Sequence, residues 1–485
     1  MTRVSTHSAD SAVPADPAVP VGRSRAYVPA EGHGPIEWVM STVIRKLAWS
    51  RLSDPKVALS VSGVGLLLGM LVGATAPNTM TLPIRLPLSY LLPSLSNNDV
   101  LATTMLYTGD VLACLGLAGM LWAHSQGWRP DPRRLLLASA GVVAVMVFLT
   151  PVGSSDTASY AAYGRIAALG GNPYVTSPIA ALGAHSPYVH VIGAVWKNQV
   201  TVYGPIATLI QWFAALIGGH SVATTIWVLM ILNGAVFIGV GFLLLKTSDD
   251  PVRATLFWTA NAVLLQQLVS GGQLDTFVAA AALCSIQVAR RVYGVWGDAL
   301  VGVLLGLAFG VKVSVALVAI GLAWPLLRRR EWLRVTRMAV IALATALVEY
   351  SFYGLNAMKS TFSGLKWVIM PSPWRLFQMA GEALGVHPGT MTTVINCLWP
   401  IALFVVAWLI YQRISSDQPR EVVAPFALTF AWVLVAPWVF AWYTAIAWAT
   451  LTLVPRNRMT RWLAIVTVFL ALWLSTGGQA APARL

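Results

Sequence analysis

Residues 154–165, which read SSDTASYAAYGR, place a carboxylate, hydroxyls and two tyrosines directly after an apolar stretch. Ser155 or Asp156 can cap the helix that follows. Tyr160 and Tyr163 lie three residues apart and therefore share one face of that helix. We expect Asp156 at the boundary between membrane and water, beside a tyrosine face that could stack on a sugar ring. The competing interpretation of Asp156 is a plain helix N-cap.

Further ionisable and aromatic residues lie at the ends of apolar stretches. An ionisable group in such surroundings is costly to hold and usually has a partner or a function. Lys312 and Arg375 are the natural ligands for an anion, and Arg binds phosphate through two hydrogen bonds at once. The group comprises Asp275 in the GGQLD turn at 271–275, Lys312 in a long apolar run, Trp374 and Arg375 in the second long loop, and Trp442 with Tyr443.

Each of these residues also has a structural interpretation. Trp442 and Tyr443 suit interfacial anchors, which are common at the ends of membrane spans. Lys312 can extend its ammonium group to the surface and leave only its stem in apolar surroundings. Asp275 can cap the helix that follows the glycine turn. The sequence alone leaves these alternatives open.

The composition indicates a membrane protein. Hydrophobic residues form 57% of the 485 positions, charged residues form 10%, and the mean hydropathy is +0.70. The apolar residues come in long blocks, whereas a soluble chain carries about 25% charged residues. The net charge of +14 could suggest nucleic acid. We exclude that class because the basic residues cluster in short loops between apolar blocks, as the positive-inside rule requires.

The apolar blocks predict an all-α bundle of about thirteen transmembrane spans. A further block, 203–219, is expected to lie in the interface as an amphipathic or re-entrant helix, because a crossing there would move four basic residues to the charge-poor side. The predicted spans are 57–77, 100–124, 135–152, 221–246, 252–270, 273–292, 297–311, 313–327, 336–354, 394–413, 422–437, 440–455 and 461–477.

The same rule orients the chain. It places the N-terminus in the cytoplasm and the long connections 153–220 and 355–393 outside. Residues 1–55, rich in Ala, Pro, Ser and Asp, are expected to form a disordered cytoplasmic tail. Residues 56–478 then form the membrane domain, and residues 479–485 a short external tail.

In their order along the chain, these features resemble the GT-C glycosyltransferases, and more narrowly the actinobacterial polyprenol-phosphate-mannose-dependent α-1,6-mannosyltransferases. The chain departs from the usual pattern at Asn261-Ala262, where the family has Asn-Pro, and at Gln273-Leu274-Asp275, where it has His-Asn-Asp. The matching stretches are 156–165 with 171–174, Tyr203-Gly204-Pro205, Asn261 through 271–275, Gly310-Val311-Lys312, and Pro437-Trp438 with Trp442-Tyr443.

The resemblance implies a GT-C bundle whose long first external loop carries interfacial helices. It implies an inverting transferase that moves mannose from a polyprenyl-phosphate donor, with Asp156 as general base. From their charge and predicted position on the same face, we expect Lys312 and Arg375 to neutralise the departing donor phosphate. No nucleotide sugar or other cofactor is expected, and no visible ligand set demands a metal. The residues expected to contact the sugar or the acceptor are Tyr160, Tyr163, Arg165, Asn172, Tyr174, Tyr203, Gln273, Asp275, Trp374, Trp442 and Tyr443.

The implied partners are the bilayer of a bacterial plasma membrane, the lipid-linked donor, and a glycolipid or polysaccharide acceptor of the cell envelope such as lipomannan, reached on the extracytoplasmic face. One carboxylate suffices for this chemistry, because a phosphate leaves without a general acid, in contrast to glycoside hydrolysis. Two alternatives remain: transfer of arabinofuranose by the same fold, which the change at 273–275 keeps open, and a lipid or sugar transporter or flippase.

Overall fold

The structure is a computed structural model that describes residues 52–363, 367–414 and 419–474. Most of the predicted cytoplasmic tail (1–55) and all of the predicted external tail (479–485) lie outside the described residues. Within the described residues the regular structure is helical, and extended pairing is limited to an isolated antiparallel bridge between Thr81 and Val152. The prediction of an all-α protein is confirmed.

Sixteen helices of eight residues or more lie in the described part of the chain. They are α1 (Pro55–Ala74), α2 (Asp99–Ser125), α3 (Pro132–Met146), α4 (Asp156–Ala168), α5 (Pro205–Gly218), α6 (Val222–Thr247), α7 (Asp275–Arg291), α8 (Gly294–Phe309), α9 (Ala316–Arg328), α10 (Trp332–Ser351), α11 (Leu355–Ser363), α12 (Pro373–Ala383), α13 (Pro388–Arg413), α14 (Arg420–Val435), α15 (Thr444–Leu451) and α16 (Met459–Leu474).

Short helical segments lie between them. They are the 3-10 turns Pro87–Tyr90, Ala194–Asn198, Val313–Val315 and Ala441–Tyr443, the short α-helices Pro178–Leu182, Pro187–His190, Pro251–Phe257 and Ala262–Leu264, and the π-helical turn Leu265–Ser270.

Several helices are suited to a bilayer. Among the described residues, α1, α2, α6 and α13 are long and apolar enough to cross a membrane, and the number rises to six if two bent helix pairs each count as one span. Apolar side chains such as Leu67, Trp122 and Phe404 are exposed on these helices, as expected of surfaces that face lipid. The apolar helices support a membrane protein, and the count of about thirteen spans stays a prediction.

The predicted span 252–270 is not one helix. Its first piece ends at Phe257, and the chain restarts at Ala262 before it winds into a π-helical turn. The side chain of Asn261 accepts a hydrogen bond from the backbone N–H of Leu264 and caps the new start. The prediction of a continuous helix was wrong because an amide in the middle of an apolar block can cap a helix and so interrupt it.

Small residues let α1 and α2 pack at close range. A Cβ atom added to Gly65 would lie 2.7 Å from the backbone nitrogen of Ala113, and one added to Gly116 would strike Ser62. Without water to drive association, helices in lipid depend on such close backbone approach. This pair supports the loop that leads toward Asp156, because the backbone N–H of Gly153 donates to the carbonyl of Met80 just beyond α1.

Candidate active site

Asp156 is the first residue of α4, and its carboxylate does not cap the helix. Ser155 occupies the N-cap position without a side-chain bond, whereas the hydroxyl of Ser154 accepts from the backbone N–H of Asp156 at 3.2 Å. The half-buried carboxylate instead lies close to the side chains of Tyr160 and Gln273, and the Tyr160 hydroxyl donates to Oε1 of Gln273 at 3.2 Å. The interpretation of Asp156 as an N-cap was therefore wrong.

The turn that holds Gln273 is built on glycine. Gly272 has φ +64, and an added Cβ atom would lie 2.3 Å from the Thr157 side chain and 2.8 Å from the sulfur of Met230. The chain bends by 117° at this turn before α7 begins. Only glycine combines this backbone conformation with such close packing. The turn thereby presses Gln273 against the first residues of α4.

Two of the sequence motifs interlock. The backbone N–H of Gly204 donates to the carbonyl of Val311 at 3.2 Å, and a Cβ atom on Gly204 would lie 2.3 Å from the carbonyl oxygen of Gly310. Because these two backbone segments are in contact, Tyr203 and Lys312 lie in the same region although about a hundred residues separate them in the chain. The Tyr203 ring meets that of Tyr160 edge-on at 5.1 Å.

Lys312 and Asp275 form an ion pair within the cluster. The ammonium nitrogen of Lys312 lies 2.9 Å and 3.0 Å from the two carboxylate oxygens of Asp275. It also lies 3.7 Å from the centre of the Tyr443 ring, a cation–π contact. The side chains of Lys312 and Asp275 are 16% and 7% exposed. Lys312 therefore does not extend to the surface, and Asp275 does not cap α7.

The surroundings set the acidity of Asp156. Burial raises the pKa of its carboxyl to about 6, and the negative charge of Asp275 acts in the same direction. The positive charge of Lys312 and the nearby polar groups of Tyr160 and Gln273 lower the pKa and leave the carboxyl mostly ionised at neutral pH. A carboxylate with such a pKa is suited to accept a proton near pH 7. Burial also raises the pKa values of Tyr160 and Tyr203 well above the usual range, so both keep their hydroxyl protons.

An aromatic series extends from Tyr443 to the two long loops. The Tyr443 ring meets Phe440 edge-on at 5.7 Å, and Phe440 meets Trp438 at 5.2 Å. The Trp438 ring in turn meets Trp367 at 4.5 Å. Trp367 stacks in turn on Trp196 at 5.7 Å and 10°. The backbone N–H of Ile369 donates to the carbonyl of Pro437 and fastens the second long loop there. The two loops thus meet through Trp196 and Trp367.

Four other candidates on the first long loop serve its packing. Tyr163 is fully buried and donates to the carbonyl of Gln199, so the expected open tyrosine face on α4 is absent: Tyr160 is also only 1% exposed. Arg165 lies 3.3 Å from the His220 ring. The side chain of Asn172 accepts from the backbone N–H of Tyr174, and the Tyr174 hydroxyl bonds to that of Thr208.

The structure does not bring Arg375 to the cluster. Its guanidinium donates to Gln378 at 2.9 Å and lies 3.7 Å from the carboxylate of Glu382, both on α12. Trp374 donates its indole N–H to the carbonyl of Val435 at 2.6 Å, and the buried Trp442 stacks on Phe440 at 4.6 Å. Both tryptophans support the turn after α14, and a phosphate-binding role for Arg375 stays a prediction.

Sequence reasoning gave no role to Asn233, Trp196 or Trp367. The Asn233 amide donates to the backbone carbonyl of Gln273 at 2.5 Å and accepts from the hydroxyl of Thr276, so it holds the turn from behind. A buried asparagine in an apolar helix was the available signal, because such a group needs partners. In the described part of the chain, no three His, Cys, Asp or Glu side chains cluster as metal ligands.

The fold and the cluster together define the class: a helical membrane protein that holds two carboxylates and an ammonium group where several helices and turns meet. Comparison with known proteins narrows this class to one family. Residues 60–328 match the sequence model described as alpha-(1->6)-mannopyranosyltransferase, N-terminal domain. The chain belongs to this family.

Individual relatives agree with the family match. The chain is 26% identical over 289 residues to a probable alpha-(1->6)-mannopyranosyltransferase of Mycolicibacterium smegmatis, in a region that covers 58% of this chain and about half (47%) of the relative. It is 22% identical over 383 residues to alpha-(1->6)-mannopyranosyltransferase A of Mycobacterium tuberculosis, covering 72% and 71% of the two chains. The identity to alpha-(1->6)-mannopyranosyltransferase B of Corynebacterium glutamicum is 25% over 186 residues, or 36% and 31%. No solved structure matches.

Proposed function

We propose that this protein is a glycosyltransferase that moves mannose from a polyprenyl-phosphate donor to a glycan or glycolipid acceptor at the outer face of the plasma membrane. The observation that carries the proposal is the half-buried carboxylate of Asp156, which lies beside the side chains of Tyr160 and Gln273 and near the cation of Lys312. The names of the relatives support mannose as the sugar.

The reaction needs one proton acceptor. An acceptor hydroxyl attacks the anomeric carbon while its proton passes to the carboxylate of Asp156. The bond between the anomeric carbon and the phosphate oxygen breaks, and its electron pair stays on the departing prenyl phosphate. Attack opposite the leaving group inverts the anomeric carbon. Because the phosphate leaves without protonation, a second carboxylic acid is unnecessary.

Lys312 is the group suited to the donor phosphate. Its ammonium is fixed by Asp275 and Tyr443, so it would face the phosphate without a large rearrangement. Fixed charges in water-poor surroundings stabilise a departing anion better than mobile charges do. Asp275 would then hold the Lys312 ammonium group in position through their ion pair. The Asp156 carboxylate would remain free to take the proton. Arg375 would join this site only after release from Glu382.

The aromatic series offers a surface for the acceptor. Trp196 and Trp367 are half-buried and lie where the two long loops meet. Indole rings bury large apolar area and keep a polar N–H available, which suits the faces of sugar rings. We place an acceptor glycan against these rings, with its terminal hydroxyl directed past Tyr443 toward Asp156.

The GT-C architecture of about thirteen spans and the external position of the site belong to the same proposal. The distribution of basic residues supports them, because the loops on the side away from Asp156 hold most of the arginines. Interfacial placement of α5 is part of this topology: its 14 residues span about 21 Å at 1.5 Å per residue, less than the roughly 30 Å hydrocarbon core.

Donor selection tests the proposal. Membranes that contain the full chain are incubated with polyprenyl-phosphate mannose labelled in the sugar, with labelled GDP-mannose, or with labelled prenyl-phosphate arabinofuranose, and an added oligomannoside acceptor. We expect label in the acceptor only from the first donor. Transfer from prenyl-phosphate arabinofuranose alone would favour the other sugar. Direct transfer from GDP-mannose, in membranes that lack the enzyme making the lipid-linked donor, would contradict the proposal.

A further inference from the structure

A second concentration of charge lies away from the Asp156 cluster. A cavity of about 420 Å³ opens between the end of α13 and the connection from α15 to α16. It lies at the end of α15 opposite Tyr443, and α14, whose 16 residues span about 24 Å, also separates the two regions. The side chains that matter here are Arg413, Arg456, Asn457, Arg458, Arg461 and Trp462.

The four arginines lack acidic partners in the described ranges. The described ion pairs involve other cations, and the nearby carboxylates have other roles. Glu421 binds Arg329 at 2.7 Å. The carboxylate of Asp250 accepts from the backbone N–H of Arg253 and caps the short helix there. The four guanidinium groups therefore line one cavity, and no carboxylate among the described residues pairs with them.

The helix that borders the cavity adds to this charge. The Asn457 side chain accepts from the backbone N–H of Met459, the first residue of α16, at 2.9 Å. A helix N-terminus carries a partial positive charge and favours acidic neighbours. Arg458 and Arg461 lie beside this terminus instead. The arginine side chains and the helix terminus therefore both attract an anion to the cavity.

A buried arginine lies behind the same connection. Arg253 is 4% exposed and donates through Nη1 to the carbonyl of Val454 at 2.5 Å. Its Nη2 has no hydrogen-bond partner among the described residues. The charge of Asp250 attracts this guanidinium group, and that of Arg456 repels it more weakly. A buried charged group without full hydrogen bonding is costly. An anion held by Arg456 would relieve that repulsion.

The positive-inside rule explains why arginines are frequent on this side, but not their convergence on a hollow. Arg133 and Arg134 provide the comparison. They lie at the start of α3, and Arg134 is 88% exposed at its side chain and pairs with Asp131 at 3.4 Å. The cavity arginines are exposed as well, but they line one cavity and have no carboxylate partner among the described residues.

We propose that this cavity binds the phosphate headgroup of an anionic membrane lipid. Guanidinium groups bind phosphate through paired hydrogen bonds, and basic pockets between membrane helices accept such headgroups. The volume lies within the range of small-molecule sites, about 300–1,000 Å³. Acyl chains would follow the apolar face of α13, where Leu409 is 51% exposed, and the half-exposed Trp462 would lie at headgroup level. The site is independent of the proposed transfer reaction.

Native mass spectrometry of the purified full chain tests this site. The protein is titrated with dioleoyl-phosphatidylglycerol or dioleoyl-phosphatidylcholine, and its thermal stability is followed in parallel with inorganic phosphate. The cavity variant is Arg456→Gln/Arg461→Gln, and the matched control is Arg133→Gln/Arg134→Gln. We expect the wild type and the control to retain the anionic lipid in preference to the neutral one, and the cavity variant to bind it at least tenfold more weakly.

Equal retention of phosphatidylglycerol by both double variants would overturn the proposal and leave only the topological role of the arginines. Stabilisation by free phosphate equal to that by the lipid at matched concentration would show a soluble anion as the occupant and would also overturn it. Should the double variant fail to fold, the single change Arg458→Gln on the exposed rim gives the same comparison, with a smaller expected loss of about threefold.

Discussion

The ammonium nitrogen of Lys312 lies 2.9 Å and 3.0 Å from the two carboxylate oxygens of Asp275, although 37 positions separate the residues in the chain. Neither residue has another described ion-pair partner. Removal of either one leaves the other charge buried and unpaired. Loss of one partner of such a pair costs about 3–5 kcal/mol, whereas replacement of both by apolar residues is often neutral.

We therefore expect Lys312→Met to lower the thermal unfolding midpoint of the detergent-solubilised protein, and Lys312→Met/Asp275→Leu to recover most of the loss. Both variants should lack transferase activity, because the cation for the donor phosphate is gone. Unfolding midpoints by intrinsic fluorescence provide the measurement. A double variant no more stable than the single one would show that the pairing does not account for the loss.

The acid limb of the pH profile should report Asp156. A base with a pKa of about 6, raised by burial, loses its function as pH falls through that value, so kcat/KM should fall about tenfold for each pH unit well below 6. Asp275 raises this pKa. Asp275→Asn should consequently move the acid limb to lower pH in whatever activity remains. An unchanged midpoint would mean that the limb belongs to another group.

The glycine turn at 271–272 should not accept a side chain. Gly272→Ala adds a Cβ atom 2.3 Å from Thr157 at a positive φ, which combines backbone strain with overpacking of about 1–3 kcal/mol. Because the turn holds Gln273 against Asp156, transfer should fall by at least tenfold. Gly294→Ala is the matched control, since Gly294 has φ +79 but open space around it. Equal activity losses in the two variants would place the effect in backbone strain alone.

Trp367 tests the acceptor surface. We expect Trp367→Ala to raise the KM for oligomannosides of three or four residues by about tenfold and to leave the KM for a single mannoside and for the donor nearly unchanged, since only longer acceptors would reach the stacked rings. Trp473→Ala is the control, because Trp473 is 48% exposed and contacts Phe469 instead. A uniform rise for all acceptor lengths would argue against an acceptor surface at Trp367.

The sequence indicated those parts of the candidate site that depend on residue types and short-range spacing. The Asp156 segment, the Gly271–Gly272 turn and the buried charge of Lys312 were all identifiable, because glycine pairs and isolated charges in apolar blocks are unusual and have physical reasons. The partner of Lys312 was not identifiable from spacing alone. That pairing depends on how Gly204 docks on Gly310, a backbone approach that no local pattern encodes.

The sequence did not reveal the internal partners of two candidate ligand residues. Tyr163 and Tyr174 were selected because they are aromatic and polar at one end, and in the structure their hydroxyls bond to a backbone carbonyl and to Thr208 within the first long loop. A sugar contact by either residue stays a prediction. The interruption of 252–270 at Asn261 was missed for a related reason: apolar runs conceal helix breaks when a single amide provides the cap.

Transfer by Asp156→Asn is the most direct test of the central claim. The variant and the wild type are compared in isolated membranes with sugar-labelled polyprenyl-phosphate mannose and an oligomannoside acceptor, beside the control Asp99→Asn, which changes an exposed carboxylate at the start of α2. We predict a loss of at least a thousandfold for Asp156→Asn, with expression and thermal stability retained, and near-wild-type transfer for the control. Transfer by Asp156→Asn within tenfold of the wild type would contradict the assignment of Asp156 as the base.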